Sequence, residues 1–246
     1  MAFDTGRRAW AQTQTVTYDV GLRQYMLKVY NLMASGLALT GIVAAIVANS
    51  AQMQALFFQP TINGGYGMTG LGWVALIAPV VMVFALSMGI SRMQASTAQA
   101  LFWAYAALMG VSLAPIFLVY TGESVARVFF ITAASFGSLS LYGYTTKKDL
   151  TGFGSFLIMG LFGLIIASVV NIFLASSAMQ FVISVAGVLI FAGLTAYDTQ
   201  KIKQTYWAGN GQEGAAKSAI MGALTLYLDF INLFIMLMRL LGDRRN

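Results

Sequence analysis

The chain has no cysteine and no histidine. Without cysteine there is no disulfide framework, no zinc–thiolate site and no thiol chemistry. Without histidine the commonest general base, the commonest metal ligand and the usual switch near neutral pH are all missing. Any response to pH must run through carboxyl groups. Charge is scarce too. Asp, Glu, Lys and Arg make up 9% of the 246 residues, against about 25% in a soluble domain. What fills the space is apolar: 59% of residues are hydrophobic and the mean hydropathy is +0.76. Lipid is the solvent that suits such a chain. The net charge of +6 would suggest nucleic acid in a soluble protein. Here the basic residues lie between hydrophobic segments, where they set membrane orientation, so nucleic acid is not an expected partner.

A helix needs roughly 20 apolar residues to cross the hydrocarbon core. Seven stretches qualify: Leu27–Ala48, Gly70–Gly89, Ala98–Val119, Val125–Tyr144, Phe153–Leu174, Met179–Gln200 and Ser218–Leu240. The expected organisation is a polar N-terminal tail over 1–24, a seven-helix transmembrane domain over 25–241 and a short C-terminal tail over 242–246. The apolar run after the tail exceeds a signal peptide's core and lacks a cleavage pattern, so it reads as the first span. Arg7, Arg8, Arg23 and Lys28 precede or open that span. Arg92, then Lys147 and Lys148, then Lys201, Lys203 and Lys217 mark the even connections. This places the N-terminus in the cytoplasm. Arg239, Arg244 and Arg245 at the C-terminus pull the other way. Either the internal loops dominate or the last segment does not cross fully. Pro79 and Pro115 should disturb their helices by a missing N–H and a ring clash. Small residues such as Gly137, Ser140, Gly160 and Gly163 suit close helix packing in lipid. The glycine-rich Gly64–Gly70 reads as an external loop.

Of eight carboxyl residues, only Asp198 and Asp229 lie within spans. A charge at mid-bilayer costs about 2.5–3.5 kcal/mol on insertion scales. Along the last span Ser218, Gly222, Thr225, Asp229, Asn232, Met236 and Arg239 share one helix face. At ~1.5 Å per residue this stripe is about 31 Å long, one hydrocarbon thickness. Polar over that length, it must face other helices or water. The last helix is therefore expected at the centre of an all-α, seven-helix bundle. Asp229 reads as a proton or cation site, or as a structural carboxyl bonded to neighbouring hydroxyls. Asp198 reads as a functional group or as an interfacial ion pair with Lys201, one turn on. From these spans the two aspartates would differ by about 13 Å in height, so their meeting does not follow from spacing alone. If they meet, they cannot both ionise cheaply and would titrate as one coupled pair. A proton could bridge them, and deprotonation would create repulsion or a site of two negative charges. Carboxylate oxygens also suit Ca²⁺, which makes Asp198 and Asp229 candidate ligands for a permeating ion. Arg92 reads as a counter-charge or as an orientation-setting arginine. No resident cofactor is expected.

The stretch Phe191–Lys203 (FAGLTAYDTQKIK), followed by Leu226–Phe234 (LYLDFINLF), resembles the signature of the Bax inhibitor-1 family. The resemblance covers roughly residues 20–241, and the chain looks like a bacterial member. It implies a seven-helix fold with the last helix central. It also implies a pH-sensitive calcium leak channel, with Asp198 and Asp229 as the pH-sensing pair near the cytoplasmic mouth and Arg92 beside them by position. The stripe residues Ser218, Gly222, Thr225, Asn232 and Arg239 are then pore candidates. Lipid, protons and Ca²⁺ are the expected partners, in a bacterial inner membrane with the N-terminus cytoplasmic. Some bacterial relatives are linked to a membrane-bound AAA protease, which offers the alternative of a non-channel regulator. An enzyme is not expected. Tyr197-Asp198 matches half of an aspartyl intramembrane protease signature, but Asp229 lacks the glycines of the other half.

Overall fold

The structure, a computed structural model, describes residues 3–60, 66–206 and 211–245. Its elements in chain order are α1 (Phe3–Asn49), α2 (Ala51–Phe57), β1 (Phe58–Pro60), β2 (Tyr66–Met68), α3 (Gly70–Gly89), α4 (Ala95–Val119), α5 (Gly122–Thr145), α6 (Thr151–Leu174), α7 (Ser177–Thr205) and α8 (Gly211–Leu241). Seven of the helices are long and apolar enough to cross a membrane. Lipid offers the backbone no partners, so each span must close its hydrogen bonds within its own helix. Hydroxyls mark several starts: Ser50, Thr69, Thr121 and Ser176 accept from the amide three residues on. The α6 helix stops where Ala175 turns left-handed at φ 48°, its amide on the Asn171 carbonyl and the next amide on the Asn171 side chain.

The expected all-α bundle and its seven spans are present, and α8 is the central helix. Of its most apolar stretch 67% is buried, against 11–39% in the other six spans. It packs against α1, α4, α5 and α7. Tyr227 anchors its middle, with Oη 2.6 Å from Thr40 Oγ1, which also donates to the Ala106 carbonyl at 2.8 Å. Pro79 frees the Ala75 carbonyl one turn back. Ser112 on α4 donates to that carbonyl at 2.7 Å, so the missing bond is repaired by a neighbour.

The helices outrun the spans read from hydropathy. Both α7 and α8 extend past the apolar core, so the expected 201–217 connection shrinks to the few residues between Thr205 and Gly211. Hydropathy stops at the first charged residues, whereas the helix continues into the aqueous layer. The connection after α1 is not a plain loop either. It holds α2 and the antiparallel β1–β2 pair, with Phe58 opposite Met68. Residues 61–65 of the glycine-rich segment lie outside the described residues.

With seven crossings, the start of α1 and the end of α8 lie on opposite faces, called here the N-face and the C-face. The last segment, Gly211–Leu241, is long and apolar enough to cross fully. At the C-face the terminus pairs with the turn between α4 and α5. The Arg245 amide donates to Val119 at 2.9 Å and the Thr121 amide to Asp243 at 3.0 Å. Arg127 bridges Asp243 at 2.7 Å.

Candidate functional site

The stretch Tyr197–Lys203 on α7 places successive side chains against different neighbours. The Tyr197 ring covers Gly154 of α6, where a Cβ would collide with it. Thr199 Oγ1 lies 2.9 Å from Ser140 Oγ on α5, which lies 2.6 Å from Tyr30 Oη on α1. Gln200 accepts from the Leu150 amide at 2.9 Å and donates to the Lys148 carbonyl at 2.8 Å, holding the turn before α6. In that turn the Thr151 hydroxyl and amide on Asp149 hold its exposed carboxyl below the usual carboxylate range. Lys203 donates to the Tyr144 carbonyl at 2.7 Å and lies 5.1 Å from the centre of that ring. Nothing in the sequence pattern distinguishes these partners, because each is set by a helix distant in the chain.

Asp198, in the middle of this stretch, hydrogen-bonds the Asp229 carboxyl of α8. Two carboxyls can make such a bond only when one carries a proton. The height difference inferred from hydropathy shrinks in the actual register. Gly222 sits against Ile202 and Gly187 against Met236, so Asp198 lies about one turn from the level of Asp229. Asp229 is 5% exposed, and its Oδ2 has no hydrogen-bond partner among the described residues.

A cavity of about 450 Å³ opens on the N-face in front of the pair. Asp198 lines it, together with Ser91, Lys201, Lys217, Ser218 and Thr225. Asp229 stands behind Asp198. Further along α8, Phe230, Leu233, Phe234, Met236 and Met238 are all buried.

The predicted stripe does not form one continuous lining. Ser218, Gly222 and Thr225 face the N-face cavity. Thr225 also donates to the Met221 carbonyl at 3.0 Å. Asn232 faces a separate cavity between α3, α4 and α8 and donates to Leu228 at 2.9 Å. Met236 lies against Gly187, and Arg239 is exposed at the C-face end. A 3.6-residue period drifts around a helix with four neighbours, so one sequence face meets several environments.

Arg92 is not brought to the pair. It is exposed, its amide donates to the Gly89 carbonyl at 2.9 Å, and its side chain has no ion pair among the described residues. The cation that acts on Asp198 is Lys201, one turn on along α7 and 5.8 Å from the centre of the Tyr197 ring. Sequence reasoning missed Glu213. Its Oε1 accepts from the Ala95 amide at 2.7 Å and caps α4, whose own Gln94 makes no cap bond. Its position at the start of a helix with Lys217 four residues on is the only local signal. No group of three acidic residues that could hold a metal occurs among the described residues.

The family described as inhibitor of apoptosis-promoting Bax1 matches residues 22–246, a region that holds both aspartates. The chain belongs to the Bax inhibitor-1 family. It is 51% identical to a protein of Rickettsia prowazekii over 94% of both chains. It is 48% identical to a Caulobacter vibrioides protein over 96% of this chain and 94% of the other. It is 46% identical to the inner membrane protein YbhL of Escherichia coli K12, over 92% of this chain and 94% of YbhL. Each of these matches spans 92–96% of this chain and 94% of the relative.

Proposed function

We propose that this Bax inhibitor-1 protein is a passive cation leak pathway, permeable to Ca²⁺ and gated by the proton shared between Asp198 and Asp229. The observation that carries the reading is a hydrogen-bonded carboxyl pair, Asp229 buried, at the inner end of an N-face cavity. While one proton bridges the pair, α7 and α8 are held together, and the apolar residues beyond Asp229 block the path. Loss of that proton leaves two negative charges in a low-dielectric site. They repel one another, and they offer oxygen ligands to a divalent cation. The sign follows: the pathway is held shut at low pH and opens as pH rises through the titration of the pair. The protein carries no resident cofactor and catalyses no reaction in this reading.

The membrane is a bacterial inner membrane, as for YbhL, with the N-face cytoplasmic. That orientation rests on Arg92, Lys147, Lys148, Lys201, Lys203 and Lys217 at N-face ends. The test is Ca²⁺ flux into vesicles reconstituted with the full chain, measured as N-face pH is varied. Wild-type flux should rise with pH, and Asp198→Asn with Asp229→Asn should be flat. Unchanged pH dependence in the double variant would sink the proposal. A protein that acts only by binding a partner, such as a membrane protease, would give no flux at any pH.

A further inference from the structure

Two lines of side chains face each other across a gap between α1 and α5. These helices lean on other partners, α1 on α4 and α8, and α5 on α7 and α8. On the N-face side the gap is a cavity of about 690 Å³, lined by α1 and α5 alone. A second cavity of about 280 Å³ continues the line toward the C-face and is floored by Phe230 and Phe234 of α8.

Three features of the wide cavity say what would fill it. The first is depth. Its α1 lining runs from Arg23 to Ala34, about 16 Å at ~1.5 Å per residue, which is half of a hydrocarbon core. That is the depth of one leaflet. The second is polarity along that depth. Arg23 stands exposed at the N-face end, with no ion-pair partner among the described residues, and Lys203 lies over the Tyr144 ring beside it. Met26, Met33, Phe136 and Leu141 line the rest, and no acidic residue does. The third is room left by glycine. Gly137 was expected to let helices approach, yet a Cβ there would meet nothing within 4 Å. The same holds for Gly41 in the narrow cavity.

We propose that the α1–α5 gap is a binding site for an anionic phospholipid of the N-face leaflet. Its phosphate sits on Arg23, which can donate two parallel hydrogen bonds to phosphate oxygens. One acyl chain lies over Gly137 and Phe136. A headgroup without an amine is favoured because the cations at this end have no acidic counterpart in the lining. The floor of the cavity contains the Tyr30–Ser140 contact that leads to Thr199, the neighbour of Asp198, so the site lies beside the carboxyl pair but does not depend on its role.

The full chain, purified and delipidated in detergent, is titrated with phosphatidylglycerol or phosphatidylcholine and read by native mass spectrometry. Wild type should hold one phosphatidylglycerol in preference to phosphatidylcholine. Gly137→Phe, whose Cβ would meet nothing within 4 Å, adds a ring at the cavity lining and should weaken that binding at least ~tenfold. Gly163→Phe, at an equally open glycine on α6 outside the gap, should leave it unchanged. Arg23→Gln should remove the preference between the two lipids. Wild-type affinity in Gly137→Phe, equal loss in Gly163→Phe, or no retained lipid in wild type would each overturn the site. Melting temperatures of the variants report whether a loss comes from unfolding. No flux is measured, so failure here is separate from failure of the leak proposal.

Discussion

Asp229 carries two obligations that a single side chain rarely meets together. It is buried in the central helix, and its partner for a hydrogen bond is another acid. Removing Asp198 by Asp198→Ala leaves that carboxyl inside with one partner fewer. The expected cost is about 1–3 kcal/mol, the usual range for stranding a buried polar group. Thermal unfolding in detergent should show it. Adding Asp229→Leu to Asp198→Ala should recover much of the loss, because replacing both partners by apolar groups removes the stranded group. A double variant no more stable than the single would show that the pair is not the source of the cost. These two residues also mark how far a sequence can be read. Asp229 stands out because Thr225, four residues before it, and Asn232, three residues after it, are polar in a mostly apolar helix. Asp198 has no such stripe, and it is singled out as the other carboxyl within a span and by its Tyr-Asp-Thr-Gln surroundings. Its pairing depends on the register of two helices, which Ile202 on Gly222 and Met236 on Gly187 set through shape. Arg92 was legible as a charge at a helix end, but not as an exposed charge without an ion pair among the described residues.

At the scale of helices, glycine separates into two uses that composition does not distinguish. Gly143 of α5 lies against the backbone of Ala196 on α7, and a Cβ there would overlap it. The close approach brings Ser140, one turn back, to Thr199. Gly143→Ala should therefore push α5 away from α7 and destabilise by about 1–3 kcal/mol. Gly137→Ala, on the same helix but over open space, should leave the melting temperature unchanged or raise it slightly. Equal losses at both positions would contradict the packing described for α5 and α7. Span count and span centres were legible because 20-residue apolar runs have one solution in lipid. Helix ends were not, because charged residues such as Lys201 and Lys217 stop a hydropathy window without stopping a helix. Glu213 shows the same limit in another form. Its role as a cap belongs to α4, which begins over a hundred residues earlier.

For the whole molecule, the basic residues at the C-terminus leave orientation open in the sequence, and the bundle restricts the answer. Arg239, Arg244 and Arg245 attract the C-terminus toward the cytoplasm by the positive-inside tendency. Yet the C-terminal segment is tied to the turn between α4 and α5 through the Thr121, Val119 and Asp243 backbone bonds and the Arg127–Asp243 bridge. It cannot change sides unless α8 leaves the centre of the bundle, which would strip Thr40 and Tyr227 of each other and expose Asp229 to lipid. The exposed ion pair contributes little, on the order of 1 kcal/mol or less, so the burial of α8 decides the matter. Opposite faces for the two termini are therefore expected in the cell. Fluorescent-protein and alkaline-phosphatase fusions at each end read this directly. The N-terminal fusion should fluoresce and the C-terminal one should show phosphatase activity. Removing residues 242–246 should not reverse the pattern, because the opposite placement of the termini rests on the buried helix and not on the clamp. Fluorescence from both fusions would put the two termini on one face, and the seven-crossing arrangement in the membrane would have to be abandoned.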